Sequence, residues 1–169
     1  MNTLRIRIYP DPFLKKKSAV VRVIGKGERE LIKGMIDAMH ASNGVGLAAP
    51  QVGISKRIIV VEDLEGTKST LAFINPKVVK KKGRSSFCEG CLSVPDMTSD
   101  VIRPEFIVLE ALNLDGDKIK IETGGLLARV VQHDRPSGRH SFYRPHWDLE
   151  TKKDHKEDFT KSVHETVRI

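Results

Sequence analysis

Aromatic residues, cysteines and long apolar runs are all scarce in this chain of 169 residues. Aromatic residues make up 5% of it, so stacking platforms for single-stranded nucleic acid are not expected. Two cysteines are too few for a disulfide scaffold and are better interpreted as free thiols or metal ligands in a reducing cytosol. The longest purely apolar run, residues 58–61, is far shorter than the roughly 20 residues that cross a bilayer. Because the N-terminus also lacks an apolar signal segment, we expect a cytoplasmic protein without membrane or DNA partners.

Basic residues outnumber acidic ones, 29 to 22, which gives a formal net charge of +7. An excess of this kind favours an anionic neighbour such as RNA or a ribosome surface, but it is equally typical of a solvated basic surface without such a partner. The length is that of one domain with its own hydrophobic core.

The spacing of apolar residues predicts an α+β fold, with short antiparallel strands around a central helix. Apolar residues three or four apart predict one helix over residues 28–41, ended by Gly44, and a second over residues 125–133. β-Branched and alternating segments predict strands at 57–61, 71–74, 77–81, 106–112 and 118–122.

The character of the chain changes after His133. Pro136, Gly138 and Pro145 fall where the second helix would continue, and a proline inside a helix costs about 3 kcal/mol. The apolar periodicity also stops. We therefore predict a core domain over residues 1–133 and an aberrant, poorly ordered tail over residues 134–169.

The first motif that could take part in binding or catalysis is residues 44–51, Gly-Val-Gly-Leu-Ala-Ala-Pro-Gln. Its small residues allow a ligand to approach the backbone closely, and the amide of Gln51 could donate to a developing oxyanion. Taken alone, such a segment is more often a tightly packed turn.

The second motif is Glu89-Gly90-Cys91-Leu92-Ser93, which Cys88 extends to C-x-x-C. This spacing is compatible with a redox pair, with one thiolate used as a metal ligand, or with buried inert cysteines. No second C-x-x-C is present, which excludes a zinc ribbon.

The third motif is Gln132-His133-Asp134, at the end of the second predicted helix. Metallohydrolases commonly place two histidines four residues apart on a helix, with a glutamate beside the first as general base. Here Asp134 stands in the glutamate position and Ser137 in that of the second histidine. A lone histidine at a helix end is more often structural than a ligand.

In this order and at these separations, the three motifs resemble those of the peptide deformylases, over about three-quarters of the chain. The resemblance implies a monomeric enzyme that removes the formyl group from the N-terminal formyl-methionine of nascent chains. It also implies one divalent metal ion, Fe(II) first, with Zn, Ni or Co as substitutes. By position, Cys91 and His133 correspond to two of the metal ligands.

The same resemblance assigns the remaining site residues. It implies that Gln51 and the backbone N–H of Leu92 are oxyanion donors and that the backbone of Gly46 pairs with the substrate. The implied walls of the methionine pocket are Val45, Leu126 and Val130.

The sequence departs from the family pattern at the third motif. Asp134 is one methylene shorter than the expected glutamate, and Ser137 is a poor replacement for an imidazole ligand. His140 is a possible substitute ligand, but Pro136 and Gly138 disfavour the intact helix that it would need. The alternative is therefore an inactive deformylase-like protein that binds formyl-methionyl peptides or the ribosome.

A shift of reading frame would explain the break. Residues 134–148 can be encoded by codons whose shifted frame reads Ile-Asp-His-Leu-Ala-Gly-Ile-Leu-Ser-Ile-Asp-Arg-Ile-Gly, which restores a histidine and resembles the family's continuation. This reading belongs to one choice among the synonymous codons for these residues. The hypothesis is that residues from 134 onward are an out-of-frame translation.

Overall fold

A computed structural model describes residues 4–64, 69–134 and 167–168. Two α-helices are present in these ranges, α1 (Lys26–Ala41) and α2 (Gly125–His133), together with short 3-10 helices at Pro12–Lys15 and Ala49–Val52. The strands, in chain order, are β1 (Gly46–Ala48), β2 (Ile58–Glu62), β3 (Thr70–Lys82), β4 (Ser85–Cys91), β5 (Val94–Arg103), β6 (Phe106–Leu112), β7 (Lys118–Thr123) and β8 (Val167–Arg168).

The strands form two sheets. The larger has the order β1-β2-β3-β6-β7, and every neighbouring pair in it is antiparallel. The smaller has the order β5-β4-β8, in which β4 pairs with β5 antiparallel and with β8 parallel. Its β4–β5 hairpin carries Cys91 at the end of β4.

The two helices cover opposite faces of the larger sheet. Successive side chains of a strand point to opposite faces, and β2 shows this with Ile58 and Val60 in one core cluster and Ile59 and Val61 in the other. The first cluster contains Met35 and the other buried residues of α1, and the second contains the buried apolar residues of α2. The uninterrupted apolar run of β2 therefore reflects burial on both faces.

The α+β prediction is confirmed, as are both helices; α1 begins two residues earlier than predicted, and α2 spans the predicted residues. Two of the predicted strands, 71–74 and 77–81, are wrong as separate elements because they are parts of β3. At Asn75 the backbone takes φ +54°, and the pairing of β3 with β6 shifts between Ile74 and Lys77. The Asn75 side chain is also bonded to both the N–H and the carbonyl of Val21, so a local irregularity interrupts the sequence pattern without ending the strand.

Several elements were not predicted. The sequence predicts no strand or helix within residues 44–51, but they contain β1 and the start of a 3-10 helix. The β4–β5 hairpin was missed entirely, because exposed apolar and polar side chains on it obscure the alternation.

The predicted tail lies mostly outside the described residues, and so do Ser137 and His140. Asp134 is described and caps the C-terminus of α2. Within the described ranges, no helix has the length and apolar content needed to cross a membrane.

The start of α1 supplies a first testable prediction. The carboxylate of Glu28 accepts from the Gly25 N–H at 3.0 Å and from Lys56 Nζ at 2.7 Å. The bond from Lys56, followed by that from Gly25, lowers the pKa of Glu28 to about 2. A carboxyl group whose pKa is lower in the folded than in the unfolded state stabilises the fold above its unfolded pKa, and this contribution is lost as the pH falls through the folded value.

We therefore expect Glu28→Gln to reduce the free energy of unfolding at pH 7, with the difference from wild type shrinking between about pH 4.5 and pH 2. Urea unfolding at several pH values measures it. The exposed Glu30 offers a control, because Glu30→Gln should leave stability nearly unchanged throughout. A difference for Glu28→Gln that does not depend on pH would refute the assignment.

Candidate active site

The first two motifs lie against each other in the fold. A Cβ atom added to Gly44 would stand 2.5 Å from Cδ1 of Leu92, so the glycine permits this close approach. The N-terminal segment forms backbone hydrogen bonds to both motifs. The Arg7 N–H donates to the Gln51 carbonyl at 2.7 Å, and the Tyr9 N–H donates to the Ser93 carbonyl at 2.8 Å. The segment 44–51 and the turn after β4 therefore form one structural unit.

The side chain of Gln51 is fully buried and points to the end of β4. Its Oε1 accepts from the Ala48 N–H at 2.7 Å, which fixes the amide orientation. Its Nε2 then donates to Ser93 Oγ at 3.2 Å and lies 3.8 Å from Cys91 Sγ. The bond to Ala48 thus holds the amide donor in an orientation that points it at the cysteine sulfur.

Cys91 is 5% exposed. Burial raises the pKa of its thiol to about 12, an effect that the nearby Asp134 reinforces and the Ser93 N–H opposes. The thiol is therefore protonated at neutral pH unless a cation stabilises the thiolate, and a metal ion would have to displace that proton.

The redox interpretation of C-x-x-C does not suit this geometry. Cys88 and Cys91 both belong to β4, and three residues of strand span roughly 10 Å. A disulfide needs Cα atoms within about 7 Å. Both cysteines are free thiols.

His133 ends α2 and is fully buried. Its Nδ1 lies 2.8 Å from Oε2 of Glu89, two residues before Cys91 on β4. Burial lowers the pKa of His133 despite the opposing effect of Glu89, which favours the neutral imidazole. The contact between His133 and Glu89 therefore brings the third motif against the second.

Glu89 is itself held by two arginines. Arg103 donates to both of its carboxylate oxygens at 2.7 Å from Nε and Nη2, and Arg129 donates to Oε1 at 2.7 Å. Burial opposes ionisation of Glu89, but the bonds from His133 and Arg103 outweigh it and lower the pKa to about 2. The carboxylate is therefore ionised at neutral pH.

Asp134 is fully buried beside His133, and neither carboxylate oxygen has a hydrogen-bond partner in the described part of the chain. Burial raises its pKa well above the usual range, against the effect of Arg103. An unpaired buried carboxylate is costly and is normally neutralised by a proton or a cation.

The donor chemistry of Cys91 and His133 fits a divalent transition metal in part. A thiolate and an imidazole backed by a carboxylate are both typical ligands of such an ion. Asp134, whose carboxylate has no hydrogen-bond partner among the described residues, follows His133 in the sequence. Within residues 4–64, 69–134 and 167–168, no three His, Cys, Asp or Glu side chains group as a complete metal site. Ser137 of the third motif lies outside these residues.

The predicted pocket residues lie in one core cluster on the α2 face of the sheet. Val130 is fully buried in it, and Val45 and Leu126 are partly buried against it. Gly46 is buried on β1. A separate cavity of about 200 Å³ is lined by Gly90, Cys91, Leu92 and residues 94–98, so it reaches the cysteine from the tip of the β4–β5 hairpin.

The sequence contains no signal for the parts that Glu89, Arg103 and Arg129 play in the fold. Glu89 belongs to the second motif, but its partners Arg103, Arg129 and His133 lie 14, 40 and 44 residues away in the sequence. Arg129 is 5% exposed although the apolar pattern of α2 contains no signal for a buried charge.

A buried cysteine and histidine of metal-ligand type beside a preoriented amide donor are typical of metal-dependent hydrolases. The polypeptide deformylase family model matches residues 3–136. The peptide deformylase of Buchnera aphidicola subsp. Acyrthosiphon pisum is 42% identical over 134 residues, which are 79% of this chain and 78% of that protein.

Solved structures agree. The peptide deformylase of Thermotoga maritima superposes with a TM-score of 0.75 at 36% identity and covers 79% of this chain and 90% of its own. That of Ehrlichia chaffeensis in complex with actinonin has a TM-score of 0.74 at 38% identity and covers 79% and 82%. The chain belongs to the peptide deformylase family, metal-dependent hydrolases that remove N-formyl groups.

Proposed function

We propose that Cys91 and His133 hold one divalent metal ion and that the site removes the formyl group from the N-terminal formyl-methionine of nascent chains. The observation that carries this proposal is the convergence on the end of β4: Gln51 Nε2 lies 3.8 Å from Cys91 Sγ, and His133 is bonded to Glu89 on the same strand. Fe(II) is the proposed ion, and Zn, Ni and Co share its compatibility with Cys and His ligands.

A divalent metal ion, when bound, would act as a Lewis acid and lower the pKa of water towards 7. The chain's own residues would then act on the substrate. The Gln51 amide, fixed through Ala48, and the Leu92 N–H would donate to the oxygen of the formyl group as negative charge develops on it. Asp134 stands in the position of the general base, where its side chain, one methylene shorter than that of glutamate, disfavours that role.

For the substrate we propose extended peptides that begin with formyl-methionine. The Gly46 backbone, on the edge strand β1, would pair with the peptide chain. Val45, Leu126 and Val130 would enclose the methionine side chain, and their membership of one apolar cluster supports this assignment.

Formate release from a formyl-methionyl peptide, measured beside the metal content of the purified chain, tests the function. Turnover that a chelator abolishes and Fe(II) restores is the expected result. Bound metal without turnover would favour the alternative below, and absence of both would contradict the metal assignment.

Gln51 provides a specific prediction for the reaction. Replacing Gln51 by alanine should lower kcat by about 10²–10³-fold with little change in KM, because its donation strengthens in the transition state. Steady-state formate release measures both constants. Gln51→Glu, which retains size but loses the amide donor, should be similarly impaired, whereas Ser93→Ala removes only a neighbour of the amide and should be much milder. An unchanged kcat in Gln51→Ala would refute the oxyanion role.

The second candidate is a deformylase-like protein that binds formyl-methionyl peptides without hydrolysing them. The absence of a three-ligand group within the described ranges, together with Asp134 and Ser137 in the third motif, favours it. Calorimetric binding of a formyl-methionyl peptide without formate release would establish this function.

We further propose that residues from 134 onward arise from a shifted reading frame. The family model matches only as far as residue 136, which supports a boundary near His133. Sequencing the coding DNA across codons 130–150 tests the proposal. An alternative frame encoding a second histidine is expected, and its absence would end the hypothesis.

The proposed setting is the cytoplasm, with the protein acting as a monomer near the ribosome. The net charge of +7 and exposed lysines at 15–17 and 80–82 support an anionic neighbour. Salt-sensitive co-sedimentation with ribosomes tests this contact.

A further inference from the structure

One edge of β4 carries a second strand just before Cys91. β5 pairs along the other edge, and in the described part of the chain the only strand on this one is β8. Val167 lies level with Glu89, and Arg168 lies level with Gly90. Because the pairing is parallel, β8 runs towards Cys91 and reaches the level of the residue before it. The chain itself therefore occupies this edge next to the proposed metal ligand.

An open strand edge is a binding site for extended peptides. Its N–H and C=O groups accept an added strand through backbone hydrogen bonds, which provide affinity without requiring particular side chains. β8 uses the edge of β4 in this way over two residue pairs. Because both strands belong to one chain, their association is intramolecular and does not depend on the protein concentration.

The proposed substrate has to lie against the same end of β4. The Gln51 amide lies 3.8 Å from Cys91 Sγ, and the second proposed donor, the Leu92 N–H, follows Cys91 directly. The cavity of about 200 Å³ that reaches Cys91 is also lined by Gly90, the residue level with the end of β8. β8 is therefore one residue along β4 from the proposed reacting centre.

We propose that segment 167–168 is an internal competitor of the peptide substrate: by pairing with Glu89 and Gly90, it blocks the edge of β4 that the peptide chain passes to reach Cys91. Substrate then binds only to the fraction of molecules in which β8 is detached, which raises the apparent KM and leaves the chemical step unchanged. The identity of the excluded peptide rests on the proposed function. The pairing itself does not, and it belongs to this amino-acid sequence whatever the origin of the residues from 134 onward.

The pairing can be measured without turnover in the metal-free, full-length chain. Cross-strand nuclear Overhauser effects between Gly90 and Arg168 should be present. Adding a formyl-methionyl peptide should remove them, because the peptide displaces β8. Their absence from the free chain would overturn the proposal, and so would their persistence at a peptide concentration that saturates binding.

The double variant Val167→Pro/Arg168→Pro tests the consequence for substrate binding. Proline has no N–H, and one of the two replaced N–H groups faces β4, so the variant should lose the pairing. The KM for a formyl-methionyl peptide should fall about 3–10-fold at unchanged kcat, because a competitor held by roughly one net hydrogen bond is removed. The backbone amide of Glu89 or Gly90, whichever faces β8, should exchange with solvent faster by a similar factor.

Val163→Pro/His164→Pro is the matched control. It makes the same backbone change four residues earlier, outside the described residues, and should alter neither the KM nor the exchange rate. An unchanged KM and an unchanged exchange rate in Val167→Pro/Arg168→Pro would overturn the proposal. If that variant fails to fold, the cross-strand signals of the wild-type chain still decide the question.

The outcomes separate this inference from the proposed function. Loss of the pairing in Val167→Pro/Arg168→Pro with an unchanged KM would contradict the competition and leave the proposed function standing. Cross-strand signals in a wild-type chain, with neither peptide binding nor formate release in that chain or the variant, would contradict the proposed function and leave the pairing of β8 with β4 standing.

Discussion

Replacing Cys91 by serine is expected to weaken Zn(II) binding by more than about 100-fold, beyond the loss typical of a residue behind a ligand. The thiolate is a soft ligand with high affinity for Zn(II) and Fe(II), and a serine hydroxyl neither ionises readily nor matches its softness. Formate release, where the wild-type chain shows it, should fall in parallel. Competition with a chromophoric chelator measures the affinity.

Cys88 offers a matched control on the same strand. It is partly exposed, whereas Cys91 is buried, and the two are separated by the length of three strand residues. Cys88→Ser should therefore retain Zn(II) affinity and turnover. If Cys88→Ser lost function as completely as Cys91→Ser, a two-cysteine site would replace the assignment made here.

Arg129→Met is expected to destabilise the fold by about 3–5 kcal/mol, the usual cost of breaking a buried ion pair by removing one partner. Arg129 is 5% exposed, and its guanidinium donates to Glu89 Oε1, the Ser85 carbonyl and hydroxyl, and the Val101 carbonyl, all within 3.0 Å. Methionine fills much of the same space but satisfies none of these acceptors. Urea unfolding monitored by circular dichroism measures the change.

Arg29 is the control for this substitution. It lies on α1, is 50% exposed, and pairs with Asp115 only at 3.7 Å. Arg29→Met should change stability by no more than about 0.5 kcal/mol. Equal losses for the two arginine variants would show that the buried network contributes nothing specific.

The elements predicted well from sequence are those with one dominant local signal. The helix periodicity of residues 28–41 and the apolar run of β2 both report burial against a core, and both are found in the structure. The break of β3 at Asn75 misled the prediction because a side-chain bond to Val21, 54 residues away, maintains the strand through its irregularity.

Candidate site residues could be proposed from the sequence where a motif itself contains the relevant chemical groups. Gln51 and Cys91 were named from their motifs, and the fold brings the Gln51 amide within 3.8 Å of the sulfur. The support behind His133 could not be predicted. Arg103 and Arg129 come from different elements, and nothing local to either distinguishes a buried arginine from a solvated one.

Asp134 combines a feature that the sequence shows with one that only the structure shows. Its substitution for a glutamate was evident from sequence, but its complete burial with no hydrogen-bond partner for either oxygen in the described ranges was not. The structure thus shows a buried carboxyl group next to His133 that no described residue hydrogen-bonds. Both the metal proposal and the frame-shift proposal concern what completes the site beyond this residue.

X-ray absorption spectroscopy of the Zn(II)-loaded chain tests the central claim that Cys91 and His133 share one ion. The account predicts one sulfur ligand at about 2.3 Å and at least one imidazole nitrogen at about 2.0–2.1 Å, with the sulfur signal absent from Cys91→Ser. A first shell of oxygen and nitrogen alone in the wild-type protein would contradict it.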